Sequence, residues 1–203
     1  MAELNLALSD GSHSINVYFY NGAWGANLSA ANNDIGYHGA NNYKRGHGLY
    51  FTGGPPQGAQ IDTAYIIYTA SADRSSTTVN AYITGNKQAS PFSDLADYQA
   101  RRGTVVGGEN NDYITTAQVA WNNIAKCTAN NTINSPEIKT VVQELVNQPT
   151  YNGVLGLFID DHDGRSTASG TTTRLFFSYD NTPAKAPILH IEYTYFMPRL
   201  AYY

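Results

Sequence analysis

Ten residues, Ile61–Ala70, constrain this chain most. They read IDTAYIIYTA. On an extended backbone Ala64, Ile66, Tyr68 and Ala70 share one face, and Tyr65 and Ile67 share the other. A helix would scatter that set around its circumference, whereas a strand collects it. The same period of two recurs along the chain. Leu4–Leu8 alternates Leu and small or polar residues, and Ile15–Tyr20 reads INVYFY. Leu49–Thr52 is a short strand that Gly53-Gly54-Pro55-Pro56 ends. Thr78–Thr84 turns Val79, Ala81 and Ile83 inward, and Ile114–Trp121 does the same with Ala117, Val119 and Trp121. Val154–Ile159, Arg174–Tyr179 and Ile188–Tyr195 complete a set of about nine strands.

One segment breaks the period. Ile138, Val141, Val142, Leu145 and Val146 recur at helical spacing. Ser135 is suited to the N-cap, Pro136 to the first helical position and Glu137 to the positive end of the helix, and Pro149 stops it soon after Asn147. The expected fold is therefore all-β, an antiparallel sandwich with one short α-helix.

Turn chemistry fills the remainder. The 203 residues include 20 Asn, 18 Gly and 16 Tyr. Asn21–Gly48 holds a dense share of the Gly and Asn, which implies one long loop or several short edge strands. Pro91–Gly108 reads as polar loop.

Composition excludes several classes. The net charge is −4, which argues against a nucleic-acid binder. No apolar run approaches the ~18 residues of a membrane-spanning helix. Cys127 is the sole cysteine and has no internal disulfide partner. The opening MAELNLALSDGSHS lacks the basic and long apolar regions of a secretory signal, so the expectation is either a mature fragment that carries a new Met or release by a route other than ordinary export.

Catalytic motifs are absent. There is no G-x-S-x-G, H-E-x-x-H or Gly-rich phosphate loop, and the five His are scattered. A non-enzyme is expected. Asp160-Asp161-His162-Asp163-Gly164 is the densest acidic cluster. Asp160, Asp161 and Asp163 could supply oxygens to a structural Ca²⁺, since such ions take several carboxylates from a tight turn. A solvated turn is the simpler reading.

Trp24, Tyr37, Tyr43 and Tyr50 lie in or beside the Asn/Gly segment, and Tyr98, Arg101 and Arg102 in the second loop. Aromatic rings with Asn or Arg nearby suit a sugar, and equally suit a protein interface. Trp24, Tyr37, Tyr43, Tyr98, Arg101 and Arg102 are thus candidate contacts to a glycan or partner. The tail FMPRLAYY places Phe196, Met197, Leu200, Tyr202 and Tyr203 after the last strand, where an apolar segment must fold back or dock on a neighbour. Docking between subunits is expected.

Several stretches carry a resemblance. They are Gly48-Leu49-Tyr50-Phe51, the run Pro56–Ile66, Val119-Ala120-Trp121, Val142-Gln143-Glu144-Leu145-Val146, Ser178-Tyr179-Asp180 and Ala186–Tyr193. In that order they resemble bacterial and phage jelly-roll β-sandwich domains, similar to the carbohydrate-binding-like modules of secreted enzymes and adhesins. The resemblance covers residues 48–195 and implies a sandwich there, with an N-terminal extension over 1–47 and an apolar tail over 196–203. A module that stands nearly alone looks more like a phage virion protein, a capsid decoration or a tail or fibre component. The resemblance thus implies a non-catalytic structural role at the particle surface, with other virion subunits or itself as partner. The alternative is recognition of a surface polysaccharide.

Overall fold

The computed structural model describes residues 1–20, 23–27, 30–38, 43–74, 78–103, 110–161, 164–168 and 171–195, with the backbone alone at 20, 23, 24, 38, 43 and 171. Among the described residues it is an antiparallel β-sandwich of twelve strands and two short α-helices.

The smaller sheet has four strands: β1 (Ala2–Ala7), β12 (Ile188–Thr194), β6 (Gln60–Thr69) and β9 (Thr132–Asn134), in that spatial order. The larger sheet runs β11 (Thr171–Phe177), β4 (Asn32–His38), β5 (Tyr43–Thr52), β10 (Val154–Asp160), β7 (Ala81–Asn86), β8 (Ile114–Trp121). Off that path, β2 (Ser14–Tyr20) pairs with β5 and with β3 (Ala23–Asn27). Every strand pair is antiparallel.

The expected alternation appears as burial. Ala64, Ile66, Tyr68 and Ala70 are all enclosed between the sheets, as are Val79, Ala81 and Ile83. Leu49 and Phe51 of β5 and Leu155, Leu157 and Ile159 of β10 meet them from the larger sheet. Tyr68 packs on Phe176 at 4.4 Å and on Trp121 at 5.6 Å between ring centroids, so these aromatics sit at the centre of the core.

Residues 1–47 are woven into both sheets. β1 pairs with β12 of the small sheet, and β2 to β4 belong to the large one. The expected boundary at 47/48 falls inside β5. The Asn/Gly segment is not an edge feature throughout: β4 lies between β11 and β5, with Asn33, Asp34 and Ile35 buried.

The expected helix forms as α2 (Lys139–Val146), burying Val141, Val142, Leu145 and Val146. Ser135 does not cap it. Its Oγ accepts the Ile66 N–H at 2.9 Å, a contact with a strand edge. Glu137 and Gln143 act alike, accepting the N–H groups of Ala64 at 2.7 Å and Ile61 at 2.8 Å. Glu144 accepts the Thr116 and Ala117 N–H groups of β8 at 2.9 and 2.8 Å. This helix therefore closes one side of the sandwich by supplying side-chain acceptors to strands of both sheets.

A second helix, α1 (Leu95–Arg102), replaces part of the expected loop Pro91–Gly108. Asp94 caps it by accepting the Asp97 N–H at 2.9 Å, and Gly103 ends it at φ 113°, a conformation that favours glycine. With Phe92 and Leu95 it covers the outer face of the large sheet. Ile15, Val17, Phe92, Tyr98, Ile114 and Phe158 form a second, smaller core there.

Candidate functional site

The acidic cluster and the second loop are separate candidates in sequence, and the fold joins them. Asp160 ends β10 on the outer face, beneath α1. Arg102 donates to its carboxylate from Nε at 2.8 Å and from Nη2 at 3.1 Å. The Tyr98 hydroxyl donates to the same carboxylate at 3.3 Å. Arg102 is 1 % exposed, Tyr98 is fully enclosed and Asp160 is 3 % exposed. Burial, reinforced by the nearby Asp160 charge, pushes the Tyr98 phenol well above its usual range.

This corrects the expected exposed contacts. Tyr98, Arg101 and Arg102 lie on a helix, not a loop, and all three are buried. The reason is charge compensation. Arg101 binds Asp97 one turn earlier in an ion pair, donates to the Ser90 and Pro91 carbonyls at 2.6 and 3.1 Å, and lies over the Phe92 ring at 5.2 Å. Arg102 has Asp160. Buried guanidinium groups with that many acceptors hold a helix onto a sheet.

The same geometry bears on Asp160, Asp161 and Asp163. The Asp160 carboxylate takes an arginine fork. Asp161 accepts the Arg165 N–H at 2.9 Å and the Ser166 N–H at 2.8 Å, and Gly164 has φ 67°. Burial raises the Asp161 carboxyl pKa against the pull of those donors. Both carboxylates are buried, so the simpler expectation of a solvated turn does not hold for them. Asp163 lies outside the described residues, and among the described residues no group of three acidic, His or Cys side chains is placed to hold a metal ion.

The aromatic candidates of the Asn/Gly segment come together in register. Trp24 of β3 stands opposite Phe19 of β2, Phe19 opposite Lys44 of β5, and Lys44 opposite Tyr37 of β4. Tyr43 is the next residue along β5. Trp24, Tyr37 and Tyr43 therefore occupy one end of the large sheet, and α1 packs beside β3. Phe196, Met197, Leu200, Tyr202 and Tyr203 lie outside the described residues.

A groove that sequence reasoning missed lies at the other end of β5. Its lining includes Leu4, Pro55, Pro56, Gln57, Tyr151 and Tyr193, and its volume is about 490 Å³. Gly53 at φ 81° and Gly153 at φ 89° turn the two loops that shape it. Gly54 lets the Tyr151 ring close down: a Cβ there would meet the phenol oxygen at 2.3 Å. Burial raises the pKa of that phenol, whose hydroxyl has no hydrogen-bond partner among the described residues. The signal was the Gly-Gly-Pro-Pro run, but its partner loop lies nearly a hundred residues away.

His47 is a titratable group enclosed in the core between the sheets. The Asp34 carbonyl accepts from Nδ1 at 3.3 Å, so Nε2 is left to accept the Tyr68 hydroxyl at 2.8 Å. Burial lowers its pKa to about 4, and the ring is neutral at pH 7. It is 0 % exposed and holds the two sheets together.

The chain matches no known protein-family model, and no curated protein matches it. No helix among the described residues is long and apolar enough to cross a membrane.

Proposed function

We propose that this chain is a non-catalytic structural protein that acts through contacts with other protein chains, itself included. The observation that carries the reading is the arginine fork on Asp160. Asp160, in the densest acidic cluster, fastens α1 to the large sheet, and Asp161 beside it is taken up by two backbone N–H groups. His47 is likewise spent on joining the sheets. A capsid decoration or a tail or fibre component at the surface of a phage particle is the setting the sequence resemblance implies. The test is the solution mass of the purified chain by light scattering over a concentration series. A defined assembly above 22.1 kDa is expected, and a strict monomer at every concentration overturns self-association.

A second reading has its own observation. The groove between Pro55-Pro56 and Tyr151 offers aromatic and proline faces beside the amides of Gln57 and Asn152. That combination suits a polysaccharide, with rings against sugar faces and amides to hydroxyls. Affinity electrophoresis in gels containing bacterial surface polysaccharides tests it. Retardation that Tyr193→Ala abolishes supports glycan binding, and unretarded migration in every gel overturns it.

A further inference from the structure

Among the described residues most strand edges of this sandwich are at least partly covered, and β1 is the longest edge strand with no backbone partner on its outer side. The free edge of β6 is covered along its length. β9 pairs with its end, and Ser135, Glu137 and Gln143 accept its outward N–H groups. Glu144 accepts two N–H groups from the edge of β8. The outer edge of β11 meets residues 70–71, where Ala70 bridges to Phe176 and the Ser71 N–H donates to the Leu175 carbonyl at 3.0 Å. β3, five residues around Gly25, has α1 beside it.

β1 differs. All six of its residues pair with β12, and among the described residues its other edge makes no backbone hydrogen bond. The strand AELNLA holds none of the usual guards: no Pro, no Lys and no bulge in its register. Its one charge is Glu3. No Lys or Arg occurs in any of the four strands of this sheet. An edge of this kind is a template for a further strand.

We propose that β1 is a docking edge for a second copy of this chain, two β1 strands pairing antiparallel about a two-fold axis through Asn5. This rests on the reading of the chain as a protein that works through protein contacts. Period two requires the axis to pass through a residue, so that paired residues share a face. Centred on Asn5, the pairs are Glu3 with Ala7, Leu4 with Leu6, and Asn5 with Asn5. The half-buried Leu4 gains the buried Leu6 of the other copy as neighbour. The lone carboxylate faces an alanine instead of its own copy, so no like charges oppose each other. A second copy thus fits the open backbone edge without opposing like charges, and the two four-stranded sheets become one of eight.

The register makes the test specific. Ala7 is exposed, so replacing it leaves the fold intact. Ala7→Glu sets two symmetry-related carboxylate pairs against each other and weakens dimerisation about tenfold or more. Ala7→Lys sets opposite charges there and leaves dimerisation equal or tighter. Asn5→Asp, nearly the same size, opposes two carboxylates on the axis and weakens it too. Light scattering on the full chain and the three variants reads the mass, and circular dichroism checks folding. A wild-type dimer of twice 22.1 kDa, weakened by Ala7→Glu and not by Ala7→Lys, is the expected result. If Ala7→Glu does not fold, Asn5→Asp decides. An assembly indifferent to the charge at 5 and 7 overturns the β1 edge while leaving the protein-contact reading in place. A monomer throughout overturns the β1 edge and self-association together.

Discussion

Arg102 grips Asp160 with two hydrogen bonds, 2.8 and 3.1 Å long, across 58 residues of sequence. The pair is almost fully enclosed, so neither charge has water to fall back on. Removing one partner leaves the other buried and uncompensated. Arg102→Met is expected to cost about 3–5 kcal/mol, measured by urea unfolding. Replacing both, as Arg102→Met with Asp160→Leu, is expected to recover much of that loss. A single variant as stable as the parent would remove the pair from the account of how α1 is held.

The same pair bears on metal. With Asp160 occupied by Arg102 and Asp161 by two backbone N–H groups, added Ca²⁺ or a chelator is expected to leave the melting temperature unchanged. A calcium-dependent rise would mean that the loop rearranges to free those carboxylates.

His47 makes stability depend on pH. Its folded pKa of about 4 lies below the unfolded value of about 6.5. Between those values the unfolded chain binds a proton that the folded chain refuses. Stability therefore falls as pH drops from about 6.5 to about 4, at up to ~1.4 kcal/mol per pH unit, and the loss from this group levels off below. Asp34 and Asp161 oppose the trend, since burial raises their pKa values and the folded state takes up their protons first. The difference between the parent and His47→Gln isolates the histidine. Parallel stability curves for the two from pH 7 to 4 would contradict the assignment.

Gly48 makes room for the outer core. A Cβ at that position would meet the Phe92 ring at 2.4 Å and Ile15 at 2.9 Å. Gly48→Ala is expected to cost about 1–3 kcal/mol through displacement of the segment carrying Phe92. In a Phe92→Ala background its cost should shrink, because the closer of the two clashes is gone and only the contact with Ile15 remains. Strict additivity in that cycle would show the two sites to be independent.

Glu144 guards an edge. Its carboxylate is three-quarters buried and accepts two β8 N–H groups. Glu144→Ala is expected to cost about 1–3 kcal/mol. It should also raise aggregation on gentle heating, followed by thioflavin fluorescence, because β8 is then an open edge. Unchanged aggregation would mean that neighbouring residues protect the strand.

The strands are legible in sequence because alternation is a local property. Ala64, Ile66 and Tyr68 announce their buried face whatever they pack against, and α2 announces its apolar stripe in the same way. The helix cap is not legible, because Ser135 has a better acceptor role on a neighbouring strand, with a partner 69 residues away. Nor is α1 within Pro91–Gly108, because it has little apolar content of its own. Its stability comes from Asp97, Asp160 and the face of the large sheet.

The sequence by itself determined the fold class and the inward face of most strands, since a two-residue period needs only neighbours along the chain. Tertiary structure alone decided the fate of the polar groups. Whether Arg102 is a surface contact or a buried clamp, whether Asp160 is a ligand or a counter-ion, and which strand edge stays open depend on what the chain brings across from far away. Desolvation makes those pairings obligatory once they are buried, and no local pattern encodes them.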